Sequence, residues 1–240
     1  MTKRFVILSG PSCAGKGSLQ AAVNRFYPQL LASRPVLCHS RLPRTGEVHG
    51  KDYYFLPPSL IKQLQGNPDF AVAQVRTDWQ AIDLLQIEDL LRGNDLVFAE
   101  VFHTFGAILQ ERAANRDFTL CSVFLLPVRP ESDENVIVES MQAKLRQRGT
   151  DKEPKLSERA RSAPLEMANS TTYTVRIFNP ASEDEVEEWG EFGTRDGKKG
   201  ERKIHSLDDL GPRSRWLVDT FVKLFNGELP PPAPTEYLSA

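Results

Sequence analysis

At 240 residues the chain can bury a substantial core without metal or disulfide support, which excludes the small stapled scaffolds and makes one enzyme-sized domain the starting expectation. A formal net charge of −2, with both signs interspersed, excludes a general attraction to nucleic acid or to an anionic membrane surface, so any anion site must be local. Cys13, Cys38 and Cys121 show no metal-ligand spacing and are odd in number, which predicts a reducing compartment and no protein-held metal.

In chain order, an apolar run at Phe5–Ser9 predicts a buried strand and is followed by a helical pattern over Lys16–Phe26. No signal-peptide pattern precedes that strand and no apolar stretch approaches the ~20 residues of a membrane span, so the expected location is cytoplasmic. Further strands are predicted at Pro35–His39, Leu96–Val101, Leu120–Leu126 and Thr174–Phe178. Helices are predicted at Ser59–Gln65, Gln86–Arg92, Phe105–Ala114, Glu134–Arg146, Leu156–Ala168 and Leu207–Phe225. Between Tyr53 and Arg76, β-rich runs flank a short helix, as in a small, partly antiparallel flap. The alternation elsewhere predicts an α/β fold with a parallel sheet flanked by helices.

The segment Gly10-Pro11-Ser12-Cys13-Ala14-Gly15-Lys16-Gly17-Ser18 lies directly after the first strand and directly before the first helix. A phosphate chain needs several N–H donors at close range with few Cβ atoms in the way, and a glycine-rich turn entering a helix N-terminus supplies them. Lys16 adds a mobile charge for the β- and γ-phosphates. The hydroxyl expected directly after the lysine is delayed to Ser18. Mg²⁺ is therefore expected to be held mainly by phosphate oxygens and water, with Ser18 facing the phosphates. ATP is the expected cofactor.

The run Ser40-Arg-Leu-Pro-Arg44-Thr-Gly-Glu47-Val-His-Gly-Lys-Asp52-Tyr53-Tyr-Phe55 resembles the monophosphate-binding segment of guanylate kinases at nearly every fixed position. Two guanidinium forks and a phenol suit the oxygens of an acceptor phosphate. The resemblance assigns that task to Arg41, Arg44 and Tyr53. Arg146-Gln-Arg148-Gly149-Thr150, followed by Arg159 and Arg161, resembles the family's lid, whose arginines stabilise the charge of the transferring phosphoryl group. By that resemblance Arg148 and Arg159 join Lys16 as catalytic residues, and Asn179 approaches the donor adenine.

The base-reading positions depart from the family. Leu37 and Val72 stand where guanylate kinases keep a serine and a glutamate, and the family's Asp-x-Asp is reduced to the neighbourhood of Glu100, which with Trp79 is expected to line an altered acceptor pocket. An unpaired polar edge costs about 1–3 kcal/mol when desolvated, so GMP is expected to be a poor acceptor.

The expected organisation is a single domain, with a core over 1–36, 95–140 and 172–228, an acceptor-binding flap over 37–94, a lid over 141–171, a charged insertion over 180–206 and a Pro-rich tail over 229–240. The insertion is expected to be a mobile loop or small hairpin, or alternatively a solvated excursion. The expected activity is ATP-dependent phosphorylation of a nucleoside monophosphate by a monomer or homodimer. The alternatives are a kinase for a non-nucleotide phosphomonoester such as a sugar phosphate, and a catalytically inactive guanylate kinase-like binding module.

Overall fold

The computed structural model describes residues 3–228 and Leu238. Its elements are, in order, β1 (Arg4–Ser9), α1 (Lys16–Phe26), β2 (Cys38–His39), β3 (Tyr54–Phe55), α2 (Pro58–Gln63), β4 (Phe70–Val75), β5 (Asp78–Asp83), α3 (Leu84–Gly93), β6 (Leu96–Glu100), α4 (Phe105–Ala113) and β7 (Thr119–Leu126). There follow α5 (Glu134–Arg148), α6 (Lys155–Ala168), β8 (Val175–Phe178), α7 (Glu185–Trp189), β9 (Thr194–Arg195), β10 (Lys198–Lys199) and α8 (Pro212–Asn226). The parallel main sheet has the order β6-β1-β7-β8. Phe5, Val6, Ile7 and Leu8 on β1 and Val123 to Leu126 on β7 are wholly buried. Such unbroken apolar runs are what a strand covered on both faces requires.

The chain divides into two compact units, one of Met1–Ile7 with Ala32–Cys121 and the other of Leu8–Leu31 with Ser122–Ala240. The first contains a second sheet of order β3-β2-β5-β4, in which β2 runs parallel to β3 and antiparallel to β5. This is the mixed flap that the sequence predicts. Two local expectations shift. Pro35–His39 contributes only the two residues of β2, since a proline at its start offers no N–H to a ladder, and these join the second sheet. Asp78–Asp83, not predicted as a strand, forms β5, and the Asp83 carboxylate ends it by accepting the Leu85 and Gln86 N–H groups as the N-cap of α3.

In the second unit the charged stretch after Pro180 is built structure. Trp189 is wholly buried, and Glu188, also buried, accepts from Arg213 Nε at 2.8 Å and from Ser214 N at 3.0 Å. Glu188 thereby satisfies first-turn donors of α8, which starts at Pro212, later than the predicted Leu207. β9 and β10 pair as a tight hairpin, so of the expected forms the hairpin is found. The Pro-rich tail lies outside the described residues except for Leu238, which exchanges hydrogen bonds with β8 through Arg176 O and Phe178 N at 2.9 Å each.

Candidate active site

The donor side is built from the β1–α1 connection. Gly10 has φ of 146°, and a Cβ there would lie 2.5 Å from Leu125 O. Gly15 caps α1 at φ 83° with no side chain bonded to the helix N-terminus, the end of a helix that favours negative charge. A Cβ on Gly15 would lie 2.3 Å from Asn179 Nδ2, whereas at Gly17 nothing lies within 4 Å. Lys16 Nζ folds back onto Gly10 O at 2.7 Å and Pro11 O at 2.9 Å. Along Gly10, Pro11, Ser12, Cys13, Ala14, Gly15, Lys16 and Gly17 the loop is thus close-packed at Gly10 and Gly15 and open beside Gly17.

Two side chains predicted on the donor side have partners within the protein. The Ser18 side chain is buried, and its hydroxyl donates to Glu185 Oε1 at 2.6 Å, with Phe192 O at 3.1 Å. It faces α7 instead of the phosphate cradle, because a carboxylate competes strongly for a hydroxyl proton. Asn179 is wholly buried; its amide donates to Ala14 O at 2.9 Å and accepts from Ala181 N at 3.1 Å. Both ends of the amide are engaged within the protein, and Asn179 braces the glycine-rich loop.

The segment after α5 collects the predicted arginines around a residue that sequence reasoning passed over. Asp151 Oδ2 lies 2.8 Å from Arg148 Nη2 and 2.8 Å from Arg159 Nη1, and Lys155 Nζ lies 3.7 Å from Oδ1. The Asp151 side chain is only 6% exposed. Arg148 Nε also donates to Thr150 Oγ1 at 2.8 Å. Arg146 and Arg161, the other arginines of the two lid-like runs, are exposed. Beside α5 lies a cavity of about 420 Å³ lined by Val128, Arg129, Lys144, Gln147 and Phe178. Burial pulls the Lys144 ammonium below its usual range, and its Nζ donates to Ser182 Oγ at 3.1 Å.

The acceptor side is built from the turn after β2. Arg41 forks onto Glu47, Nη1 to Oε2 at 2.5 Å and Nη2 to Oε1 at 2.7 Å, and lies over the rings of Tyr53 and Phe55 at 5.1 and 5.3 Å. Glu47 also accepts the Arg44 N–H at 2.8 Å. The Arg41 fork and that N–H pull the Glu47 carboxyl down to about 2. The Arg44 side chain is exposed. Burial raises the Tyr53 phenol, which keeps it a donor at neutral pH. His39, also missed from the sequence, packs edge-on to Tyr53 at 5.2 Å and accepts the Arg41 N–H at 3.1 Å. Its imidazole is held below the usual range, mainly by burial and next by the Arg41 charge.

A cavity of about 300 Å³ adjoins Tyr53 and is lined by Arg34, Leu37, Phe98 and Glu100 among others. Arg34 lies 5.0 Å over the Phe98 ring. Leu37 is buried, and Val72 packs against the apolar group of Cys38, Ile61 and Ala81. Trp79 sits on β5 with Lys62 Nζ 5.0 Å over its ring. Among the described residues no group of three or more His, Cys, Asp or Glu side chains is placed to hold a metal.

A parallel sheet, a glycine-rich loop entering an uncapped helix, and separate arginine groups define a P-loop phosphotransferase. A family model described as guanylate kinase matches residues 2–192, and the chain belongs to the guanylate kinase family. It is an ATP-dependent phosphotransferase of the nucleoside monophosphate kinase type. Among its relatives, a guanylate kinase of Geobacter sulfurreducens is 31% identical over 184 residues, covering 76% of this chain and 83% of the relative. One of Trichormus variabilis is 27% identical over 177 residues, covering 73% and 82%. A solved guanylate kinase from Anaplasma phagocytophilum superposes with a TM-score of 0.51 at 18% identity, over 77% of this chain and 81% of that one. That likeness is one of fold. No helix among the described residues is long and apolar enough to cross a membrane.

Proposed function

We infer that the chain transfers the terminal phosphoryl group of ATP, with Mg²⁺ carried on its phosphates, to a nucleoside monophosphate. The observation that carries this reading is that two separate groups have the residue types of anion sites, the glycine-rich loop with Lys16 and the Arg41–Arg44–Tyr53 cluster. A kinase needs both, one for each phosphate that meets in the reaction. Lys16 serves the donor phosphates. Arg41, Arg44 and Tyr53 hold the acceptor phosphate, and Arg148 and Arg159, as lid residues, offset charge on the phosphoryl group as it moves. Mg²⁺ supplies further charge neutralisation when bound. With the Ser18 hydroxyl engaged by Glu185, phosphate oxygens and water are its expected ligands.

The relatives are guanylate kinases, which favours GMP as the acceptor; against that, the base-reading positions argue that GMP is used poorly. A buried Leu37 and a Val72 packed into an apolar group supply no polar partner at those two positions, and each unmet donor or acceptor costs about 1–3 kcal/mol. A non-nucleotide phosphomonoester such as a sugar phosphate is the second reading, favoured by the Arg34 and Glu100 side chains at the cavity wall, which suit hydroxyl groups. An inactive binding module is disfavoured because it has no use for the glycine-rich loop with Lys16.

The test is an ATP-coupled assay across nucleoside monophosphates and sugar phosphates. Turnover of one of them at a kcat/KM well above that of GMP is expected. If GMP is preferred by about a hundredfold or more, the base-pocket reading is wrong; absence of ATP binding would sink the kinase reading altogether.

A further inference from the structure

The stretch after Pro180 takes no part in the steps assigned above, and the family match stops inside it, at residue 192. Its placement is nevertheless specific. Asp196 and Gly197 are the two central residues of the β9–β10 hairpin, at φ of 50° and 74°, as a tight two-residue hairpin turn requires. The Asp196 N–H donates to Gln147 O at 2.9 Å and the Gly197 N–H to Arg148 O at 2.8 Å. Those carbonyls end α5, where a helix has acceptors with no donors of its own.

The contact is close enough to constrain the next residue. Gly149 has φ of 68°, and a Cβ there would lie 2.7 Å from Asp196 Cα and 2.9 Å from Gly197 N. At its other end the same stretch is fastened to the phosphate loop's helix, through Glu185 and the Ser18 hydroxyl at 2.6 Å, and it is seated by the wholly buried Trp189. One insertion thus joins the first turn of α1 to the last turn of α5.

We propose that the Asp196–Gly197 turn is a positioning element for the lid arginine Arg148. By donating to the last carbonyls of α5 it fixes the backbone from which the Arg148 side chain departs, and through Glu185 it sets that backbone against the helix bearing Lys16. From there the order passes along side chains, from Arg148 to Asp151 and from Asp151 to Arg159. As a positioning element the turn acts through Arg148 and not by touching a reacting group, so its effect belongs on the chemical step and not on ground-state affinity. The proposal rests on the reading of Arg148 as a residue that stabilises the moving phosphoryl group.

Gly197→Pro removes the N–H that bonds to Arg148 O and cannot adopt the native φ. Gly197→Asn keeps the N–H, tolerates the left-handed region, and has room, since only Gly149 O, at 3.5 Å, lies near the added Cβ. Steady-state kinetics with Mg·ATP and the best acceptor of the panel are combined with amide hydrogen exchange of the free protein over residues 145–160. Gly197→Pro is expected to lower kcat at least about tenfold, with KM for ATP and acceptor within about twofold, and to speed exchange over 145–160. Gly197→Asn should return both readouts close to wild type.

A Gly197→Pro enzyme with unchanged kcat, or one that loses ATP affinity in step with kcat, overturns the proposal, as does failure of Gly197→Asn to restore turnover. Should Gly197→Pro not fold, Glu185→Ala takes its place: faster exchange over 145–160 with a several-fold lower kcat supports the coupling, and unchanged exchange overturns it. A wild type silent with every acceptor while its exchange responds as described would remove the kinase reading and the catalytic purpose of the turn, leaving only the clamp. Active wild type with an unresponsive hinge removes the clamp alone.

Discussion

Arg148 Nη2 donates to Asp151 Oδ2 at 2.8 Å, onto a carboxylate that is almost wholly buried and that also receives Arg159. Two guanidinium groups that would repel one another are held convergent by one anion, before any phosphate arrives. Asp151→Asn should therefore reduce stability in urea unfolding by about 1–3 kcal/mol, the scale of a hydrogen bond to a charged group. It should also lower kcat while leaving KM for ATP nearly unchanged. Unaltered stability together with unaltered kcat would show that the arginines organise themselves.

Donor and acceptor roles separate by substitution. Arg44→Lys keeps the charge but loses the planar fork, and should lower kcat/KM for the acceptor by about tenfold or more, with ATP affinity scarcely moved. Arg148→Ala should instead depress kcat with smaller effects on either KM. Equal loss of ATP and acceptor use in Arg44→Lys, or intact kcat in Arg148→Ala, would show the two assignments to be exchanged or mistaken.

Titration calorimetry addresses the cradle. Lys16→Ala should weaken Mg·ATP binding by at least about tenfold, because one charge-assisted contact to phosphate contributes roughly 1.5–3 kcal/mol. Asn179→Ala should weaken ATP more mildly and destabilise the fold, since it strips Ala14 O of its 2.9 Å donor. If Asn179→Ala abolished ATP binding without loss of stability, a direct contact with nucleotide would replace the brace.

The pH dependence of folding has a local source in His103. Burial, and then the charge of Arg76, lower its imidazole from 6.5 to about 4, so the unfolded chain takes up this proton at a higher pH than the folded one. The stabilisation is present above pH 6.5 and lost as pH falls towards 4, with a slope of at most about 1.4 kcal/mol per pH unit for one proton. His103→Gln should flatten the stability profile in that window, as followed by urea midpoints between pH 4 and 7. A profile that keeps its slope would assign the dependence to other groups.

Three features were legible in the sequence because each is contiguous: the Gly10–Ser18 loop after an apolar strand, the Arg41–Tyr53 segment, and the Arg148–Gly149–Thr150 hinge. The flap sheet was foreseen in kind from its β-rich runs, though β5 was not. A strand carrying Asp, Trp and Gln has no apolar alternation to announce it, and its pairing with β4 decides it. The orientation of side chains was not legible at all. Ser18 looked like a phosphate ligand by spacing, but its partner Glu185 stands far along the chain, and only folding sets a carboxylate against that hydroxyl. Asn179 was placed near the donor by its position, while the close packing of Gly15 turned its amide inward. For the charged stretch after Pro180 the sequence allowed a loop, a hairpin or a solvated excursion, since charge runs are ordinarily solvated. Its structure was decided by Trp189 finding a buried site and by the Asp196–Gly197 turn meeting the unsatisfied carbonyls of α5. What the sequence by itself determined was therefore the chemistry, which resides in residue types at short spacing. The tertiary structure decided which of those groups are free to act and which are held, because long-range hydrogen bonds and packing leave no local signature.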